Sequence, residues 1–228
     1  MVNHEHVYNE LAGKYDLLIS RQADILDIIE SIRPIEGLDV IDLGAGSGRL
    51  TSVLAPRVKS VLALDSSVEM LKINAKKLNE KGLSNWKTQV ADHRRIPVED
   101  HSIDLIVAGW TICYVGSSNV SNNEQNIENT IQEMKRVLRP NGTIIIFETL
   151  GTGYKEPNPP DYLKQYYFLL EDQYKFLHQW IRLDYQFKNL KEAEDLTRFF
   201  FGDKLANRVV KERLVHLPEC TGIWWLTK

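Results

Sequence analysis

The stretch Val40-Ile41-Asp42-Leu43-Gly44-Ala45-Gly46-Ser47-Gly48-Arg49-Leu50 is the most informative part of this chain for its fold. It reads as an apolar strand that runs into a turn with alternating glycines and then into a helix over residues 49–55. Glycine lets the backbone turn sharply, and a ligand can approach it without an intervening Cβ atom. The free N–H groups at the start of the helix carry a partial positive charge. The stretch therefore predicts a nucleotide-type pocket.

The spacing of the glycines distinguishes between two kinds of nucleotide site. A dinucleotide-binding turn has the pattern G-x-G-x-x-G, whose third glycine would fall on Arg49. The observed pattern is G-x-G-x-G, with Asp42 two residues before the first glycine. It resembles the first motif, D/E-x-G-x-G-x-G, of class I S-adenosylmethionine (SAM) dependent methyltransferases. Because glycine-rich turns that bind no ligand are also common, the rest of the chain has to decide.

Composition and charge limit the classes of protein that fit. The 228 residues can bury one sizeable α/β core, and 43% hydrophobic and 26% charged residues are ordinary for a soluble globular protein. A net charge of −3 gives no broad cationic field, which disfavours a nucleic-acid substrate, although a local basic patch would suffice for one. Two cysteines, Cys113 and Cys220, form neither a disulfide framework nor a metal-ligand cluster, so we expect no metal site.

The sequence contains no signal for a membrane or for export. The first six residues lack a basic region followed by an apolar run, and no apolar stretch approaches the roughly 18 residues of a membrane span. These features predict a cytoplasmic protein that does not bind membranes. Its oligomeric state is open between a monomer and a homodimer.

Predicted strands and helices alternate along the first 150 residues. The strands are predicted at 38–43, 58–64, 86–91, 103–108 and 143–147, and the helices at 23–33, 49–55, 66–81 and 127–138. Ser66 and Glu69 fit a capping box at the start of the third helix. Such alternation specifies a parallel sheet with right-handed crossovers and helices on both faces.

After residue 149 the alternation breaks. Residues 150–179 are rich in glycine, proline and aromatic side chains, and strand-like residues 181–187, a helix at 190–201 and a strand at 222–226 follow. We therefore predict a Rossmann-like, doubly wound α/β fold with a seven-stranded, mostly parallel sheet. Its single domain comprises an N-terminal helical cap (1–36), a ligand-binding core (37–149), a helical lid between strands five and six (150–179) and a C-terminal part of the sheet (180–228).

Two acidic residues stand at the predicted carboxyl ends of strands, where open parallel sheets bind ligands. Asp65 closes strand two and can accept hydrogen bonds from both hydroxyls of a ribose, or it can instead partner the dipole of the next helix. A ribose is common to SAM and NAD, so Asp65 alone does not separate them. Asp92 follows strand three and begins a run that does.

The residues from Asp92 to Ile106 resemble the methyltransferase pattern D-x-x-x-L-P-F-x-x-x-S-F-D-x-V, with conservative replacements at Ile96, Val98 and Ile103. Residues 133–142 likewise resemble the family's E-x-x-R-V-L-K-P-G-G. Asn141 replaces a glycine there, and asparagine tolerates a left-handed turn. Together the four matching blocks cover residues 38–148, and their order and spacing identify the chain as a member of the class I SAM-dependent methyltransferases.

The resemblance implies that SAM is the cofactor and S-adenosylhomocysteine the product. In this family the residue at the position of Asp92 accepts a hydrogen bond from the adenine amino group. The cofactor-binding residues that the resemblance implies are Asp42, Gly44, Ala45, Gly46, Gly48, Asp65, Ser66, Met70, Ala91, Asp92, His93, Gly109, Trp110, Tyr15 and Arg21. Tyr15 lies in a stretch similar to the family's cap segment. Arg21 is a candidate partner of the methionyl carboxylate or a solvated surface residue, and Trp110 packs on the ligands or in the core.

The acceptor is harder to predict than the cofactor. Candidate substrate-binding residues are Tyr8, Tyr114, Tyr162, Tyr166 and His178. The aromatic residues of the predicted lid either enclose an apolar acceptor or form the lid's own core. His178 is a candidate base, but a sulfonium methyl donor needs positioning more than it needs a base, so no catalytic residue is assigned.

We expect an enzyme that transfers a methyl group from SAM to a small molecule. The alternatives are methylation of a protein or an RNA, a non-catalytic binding protein with the same fold, and an NAD(P)-linked oxidoreductase.

Overall fold

The structure, a computed structural model, describes residues 10–228. Its strands are β1 (Asp39–Leu43), β2 (Ser60–Asp65), β3 (Trp86–Val90), β4 (Ile103–Gly109), β5 (Leu138–Thr152), β6 (Leu177–Arg182), β7 (Tyr185–Gln186), β8 (His216–Leu217) and β9 (Glu219–Thr227). Within these residues, seven strands form one sheet in the order β3-β2-β1-β4-β5-β9-β6, and β7 pairs with β8. β9 runs antiparallel to β5 and β6, while the other pairings in the sheet are parallel. The predicted seven-stranded, mostly parallel sheet is confirmed.

Helices cover both faces of this sheet. They are α1 (Ala12–Ile19), α2 (Leu26–Ile32), α3 (Thr51–Leu54), α4 (Val68–Glu80), α5 (Cys113–Gly116), α6 (Asn123–Val137), α7 (Asp161–Phe168), α8 (Leu190–Phe201) and α9 (Asp203–Glu212). Neighbouring residues of a strand point to opposite faces. Ile106 accordingly packs in one core cluster with Ile131 of α6, while Leu105 packs in another with Ile29 of α2. Burial on both faces explains why β4 is almost entirely apolar.

The segment between β5 and β6 is helical, but most of its aromatic side chains belong to the main core. α7 continues into a π-helical turn at Leu169–Gln173. The buried residues of the segment pack in the same cluster as the central strands, and they are Leu163, Tyr166, Tyr167, Leu170, Tyr174 and Phe176. Tyr162 and Phe168 are exposed, at 45% and 62%. The sequence left open whether these aromatic residues enclose an acceptor or form a core. The buried tyrosines pack in a core.

Three sequence predictions are wrong in detail. Ser67, not Ser66, caps α4, because its extended backbone lets the Oγ atom accept from the Met70 N–H at 3.3 Å. The strand predicted at 181–187 is instead two: β6 starts at 177 to pair with β9, and β7 pairs with β8 in a separate sheet. The helix predicted at 49–55 is only four residues long, at Thr51–Leu54.

Candidate functional site

The glycine-rich turn between β1 and α3 has positive φ angles at Gly44 (70°), Gly46 (51°) and Gly48 (90°), which side chains disfavour. The surroundings of the three glycines differ. A Cβ atom on Gly44 would lie 2.0 Å from Thr111 Oγ1, and one on Gly48 would lie 2.6 Å from Asn74 Oδ1. A Cβ atom on Gly46 would meet no atom within 4 Å. Internal packing therefore requires Gly44 and Gly48, whereas Gly46 borders open space.

That open space belongs to a cleft at the carboxyl ends of β1 and β4, with α1 on its other side. The lining residues are Tyr15, Ile19, Asp42, Gly44, Ala45, Gly46, Ser47, Arg49, Leu50, Gly109 and Trp110. The structure thus brings together seven of the predicted cofactor residues: Tyr15, Asp42, Gly44, Ala45, Gly46, Gly109 and Trp110. Asp16 of α1 accepts from Ser47 Oγ at 2.7 Å and pairs with Lys77, so α1 is held against the glycine turn.

Asp42 lies beneath the glycine turn and is 1% exposed. Its Oδ2 atom accepts from the Thr51 hydroxyl at 2.5 Å, and Thr51 Oγ1 accepts from Asn74 Nδ2 at 2.9 Å. Burial raises the pKa of Asp42 to about 7, because the charged carboxylate loses its hydration. Asp42 therefore joins β1, α3 and α4 beneath the turn, and its carboxyl group is partly protonated near neutral pH.

Asp65 ends β2 and connects the glycine turn to α4. Its Oδ2 atom accepts from the Gly46 N–H at 2.8 Å, and its Oδ1 atom accepts from the Ser67 N–H at 2.8 Å. These two bonds fix the orientation of the carboxylate. Each carboxylate oxygen has about two acceptor sites, so on both oxygens one site remains that no described residue fills and that a ligand hydroxyl could use.

Asp92 follows β3 in an exposed turn. Arg94 Nε donates to its Oδ1 at 2.8 Å and Arg94 Nη2 to its Oδ2 at 2.5 Å. The hydrogen bonds from Arg94 lower the pKa of Asp92 to about 2, so the carboxylate is ionised at neutral pH. Arg94 in turn donates to Asn126 of α6 at 3.0 Å. Asp92 does not line the cleft described above, and its contact with adenine stays a prediction.

Two further residues link the turn after β3 with the glycine turn. His93 Nε2 lies 3.1 Å from Thr111 Oγ1, and burial lowers the pKa of His93, which favours its neutral form. Thr111 is buried and is also the residue that packs against Gly44. The sequence analysis did not identify Thr111 as a residue of the site. Its position two residues after the end of β4 was the feature that could have indicated it.

Trp110 has a backbone φ of 53°, and its backbone N–H donates to the Phe147 carbonyl oxygen at 2.6 Å. Its ring stacks on Phe147, with 6.1 Å between centroids, while the Arg49 guanidinium lies 3.9 Å from the ring centroid. Trp110 therefore both lines the cleft and packs on the core. In the sequence, Arg49 served only to exclude a dinucleotide motif, because it occupies the position of that motif's third glycine.

Several predicted ligand contacts lie away from the cleft. Arg21 donates to both carboxylate oxygens of Glu192 in α8, at 3.1 and 2.7 Å, and does not line the cleft. Gly48 is buried against Asn74, and Met70 is 2% exposed. Ser66 is exposed and Ala91 is half-buried outside the lining. Arg21 is paired with Glu192 and not with the cleft, because α8 lies beside the end of α1.

The predicted substrate residues divide in the same way. Tyr166 is 0% exposed and packs on Tyr167, so it is a core residue in this arrangement, and its contact with substrate stays a prediction. His178 stacks on Trp224 at 4.5 Å, and Trp224 pairs with Ile146 in the middle of β5. His178 is therefore level with the carboxyl ends of β1 and β4, but it lies on the edge strand β6, which β5 and β9 separate from β4.

The remaining two described candidates, Tyr114 and Tyr162, are 39% and 45% exposed on α5 and α7. They do not line the cleft, and their role stays a prediction. Tyr8 lies outside the described residues. In residues 10–228, no group of three or more His, Cys, Asp or Glu side chains is placed to hold a metal ion. The same residues include no helix with the length and apolarity of a membrane span.

The sequence is similar to a family model and to several characterised proteins. A family model described as a methyltransferase domain matches residues 41–146, which include the glycine turn, Asp65 and Asp92. A malonyl-[acyl-carrier protein] O-methyltransferase from a Marinomonas species is 26% identical over 190 residues, which cover 82% of this chain and 64% of that protein. A demethylmenaquinone methyltransferase from Porphyromonas gingivalis is 30% identical over 154 residues, covering 63% of this chain and 59% of its own length.

The likeness to solved structures extends along nearly the whole chain. A SAM-dependent methyltransferase from Aquifex aeolicus superposes with a TM-score of 0.61 at 18% identity, covering 94% of this chain and 96% of that one. The chain spans less than two thirds of the two curated relatives named above. Residues 41–146 match the model of a methyltransferase domain, and the chain has the fold of a solved SAM-dependent methyltransferase.

Proposed function

We propose that this protein is an enzyme that transfers a methyl group from SAM to a small-molecule acceptor and releases S-adenosylhomocysteine. The observation that carries the proposal is the open space at Gly46, beside a carboxylate, Asp65, that the Gly46 and Ser67 N–H groups hold in place. The names of the curated relatives support a methyltransferase, and those relatives act on an acyl-carrier-bound malonyl group and on demethylmenaquinone.

The residues present fit such a cofactor. Asp65 would hold the ribose hydroxyls, Asp92 would accept from the adenine amino group, and the backbone from Gly44 to Gly46 would contact the methionyl part. When bound, SAM supplies an electrophilic methyl group on its sulfonium. The chain's own contribution is to orient and to exclude water: Trp110 is fixed over the cleft by Phe147 and Arg49, and α1 is fixed by Asp16. Positioning of this kind lowers the barrier without a dedicated base.

The first test is a thermal melt with S-adenosylhomocysteine, SAM or NADH. A ligand at about 100 times its dissociation constant stabilises a protein by roughly 2.7 kcal/mol, which raises the melting temperature by a few degrees at this size. We expect the two adenosyl ligands to raise the midpoint and NADH to leave it unchanged. A shift with NADH alone would point to an oxidoreductase, and no shift with any ligand would contradict the proposal.

The Asp65→Ala substitution tests the ribose contact. We expect it to weaken S-adenosylhomocysteine binding more than tenfold, or by about 1.4 kcal/mol or more, because hydrogen bonds to a charged acceptor are lost. Isothermal titration calorimetry measures the affinity. Asp195→Ala is the matched control, since it removes the same charge from an exposed position of α8. Equal affinities for the two variants would remove Asp65 from the site.

The remaining sequence predictions stand as part of the proposal. A net charge of −3 supports a small acceptor over a nucleic acid. A cytoplasmic location and the choice between a monomer and a homodimer stay predictions. Analytical ultracentrifugation with and without S-adenosylhomocysteine would decide the oligomeric state.

A further inference from the structure

A hydrophobic core of its own lies above the cleft, apart from the clusters that contain the central strands of the sheet. It joins Leu18 of α1 to side chains from the segment between β6 and β9. The buried members from that segment are Tyr185, Phe187, Ala193, Leu196, Val209 and Leu217. We call residues 12–22 and 184–217 the cap, and the rest of the chain that the structure describes the body. The cap thus has a core that does not depend on the body.

Polar contacts also hold the two parts of the cap together. Arg21 donates to both carboxylate oxygens of Glu192, at 3.1 and 2.7 Å, and the Gln186 N–H donates to the Arg21 carbonyl oxygen at 2.7 Å. The ion pair is mostly buried, and its bidentate geometry fixes the relative orientation of α1 and α8. The rings of Tyr15 and Phe200 pack with 5.2 Å between their centroids. We therefore expect α1 to move together with residues 184–217.

Across the cleft, α1 contacts the body through polar groups. Asp16 accepts from Ser47 Oγ at 2.7 Å and pairs with Lys77. The side chains of Asp16 and Lys77 are 22% and 31% exposed, and water screens ion pairs of this kind, which contribute little to stability. The cap can therefore separate from the glycine turn while its own core stays intact.

The chain crosses between cap and body at three places, and hydrogen bonds join these crossings side by side. Gln22 Nε2 donates to the Leu183 carbonyl oxygen at 2.5 Å, and the Leu183 N–H donates to the Glu219 carbonyl oxygen at 2.9 Å. α9 packs on Gly153, whose N–H donates to the Pro218 carbonyl oxygen at 2.7 Å, next to the same crossings. Chain crossings gathered at one side of a cap are the arrangement of a hinge.

The cleft between the cap and the glycine turn is too small, as it stands, for the ligand of the proposed function. It encloses about 30 Å³, which is room for water only, whereas pockets for small molecules typically enclose about 300–1,000 Å³. We infer that the cap opens as one body about this hinge to admit ligands to the cleft. The inference rests on the proposed function for the identity of the ligand. It assigns the moving part of the lid to α1 and residues 184–217, since the buried tyrosines of residues 150–179 pack in the main core.

A reversible disulfide tests the opening. Asp16→Cys/Ser47→Cys ties the cap to the glycine turn when oxidised and releases it when reduced, because the two side chains are in contact. We expect oxidation to slow the association of S-adenosylhomocysteine at least tenfold in stopped-flow fluorescence, and reduction to reverse the effect. Gln186→Cys/His216→Cys is the matched control, since these residues face each other on β7 and β8 within the cap. Its disulfide should change the association rate less than twofold.

Distances between spin labels test whether the cap moves as one body. Labels at the exposed positions Leu17 and Lys211 report a distance within the cap, and labels at Lys211 and Gln132 a distance from the cap to α6. By double electron–electron resonance, we expect the cap-to-body distribution to be at least twice as broad as the one within the cap, and S-adenosylhomocysteine to narrow it. Labels at Gln132 and Lys164, both in the body, are the control and should give a narrow distribution.

Two results would overturn the inference. A broad distribution within the cap would show that α1 moves apart from residues 184–217. Equal association rates for the oxidised and reduced Asp16→Cys/Ser47→Cys variant, with its disulfide verified by thiol titration, would show that the cap need not open. All cysteine variants also carry Cys113→Ser and Cys220→Ser, so that only the introduced thiols react, and melts without ligand identify any that fail to fold.

The design keeps this inference separate from the proposed function. Failure of the wild type to bind S-adenosylhomocysteine would contradict the proposed function. The label distances of the protein without ligand would then decide the inference, since a cap-to-body distribution as narrow as that within the body would overturn it.

Discussion

Gly44→Ala is expected to destabilise the protein by about 4 kcal/mol. Two effects add up in this estimate: a left-handed backbone costs an alanine about 1–2 kcal/mol, and overpacking a filled site costs typically about 1–3 kcal/mol or more. The new Cβ atom would lie 2.0 Å from Thr111 Oγ1 and 2.4 Å from Thr111 Cβ. Thr111 is buried and paired with His93, so it cannot move aside without losing that contact. Urea denaturation followed by circular dichroism measures the change.

Gly46→Ala is the matched control, because its φ of 51° is also positive but no atom lies within 4 Å of the added Cβ. We expect it to lose only about 1–2 kcal/mol of stability and to bind S-adenosylhomocysteine at least tenfold more weakly. The double variant Gly44→Ala/Thr111→Gly should recover the part of the loss that comes from overlap. If Gly44→Ala were as stable as Gly46→Ala, the contact with Thr111 would not be what requires glycine at this position.

Glu148→Gln is expected to remove a loss of about 3 kcal/mol in the free energy of unfolding that the wild type shows as the pH rises from about 4.5 to about 7. Glu148 ends the apolar part of β5 and is 0% exposed, and burial raises its pKa from 4.5 to about 7. The folded state therefore holds the proton more tightly than the unfolded state. The contribution of this group to stability is greatest below about pH 4.5 and falls as the pH rises to about 7, by about 1.4 kcal/mol for each unit of difference in pKa.

The glutamine side chain of this variant would not titrate, and its amide oxygen can still accept from the Cys113 N–H, as Glu148 does at 2.8 Å. Urea denaturation at pH 5 and pH 8 should show that the variant gains stability relative to wild type as the pH rises. Asp42 and Glu219 are also buried, with pKa values raised to about 7, but they titrate equally in both proteins and cancel in the difference. Glu36→Gln, at an exposed position, is the matched control for the substitution itself. A constant difference across this range would contradict the raised pKa.

Local sequence patterns predicted the central strands of the sheet and the position of the cleft. The apolar runs that end at Leu43 and Gly109 are buried on both faces, and such strands can be recognised without knowing their neighbours. The glycine turn was recognisable for the same reason, because its backbone angles are set by adjacent residues. Asn141, with a φ of 63°, takes the left-handed conformation that its place in the motif implied.

Positions of side chains at the edges of the site were predicted less well. Ser66 and Ser67 are equally good caps by composition, and Ser67 is the cap in the structure because Asp65 accepts from its N–H. The short strands β7 and β8 are only two residues long each, so they show no recognisable period, although Tyr185 and Leu217 pack in the same core cluster. His178 was assigned to the lid because β6 is an exposed edge strand without apolar alternation.

The class of fold and the glycine-rich turn could be predicted from the amino-acid sequence alone, because both depend on periodicity and on backbone angles within a few residues. Which charged side chains are free to meet a ligand depends instead on tertiary packing. Arg21 is engaged by a residue 171 positions away, and Arg49 meets the Trp110 ring from the next strand of the sheet. Such pairings are set by how strands and helices pack, so their partners are distant in the chain and leave no local pattern to read.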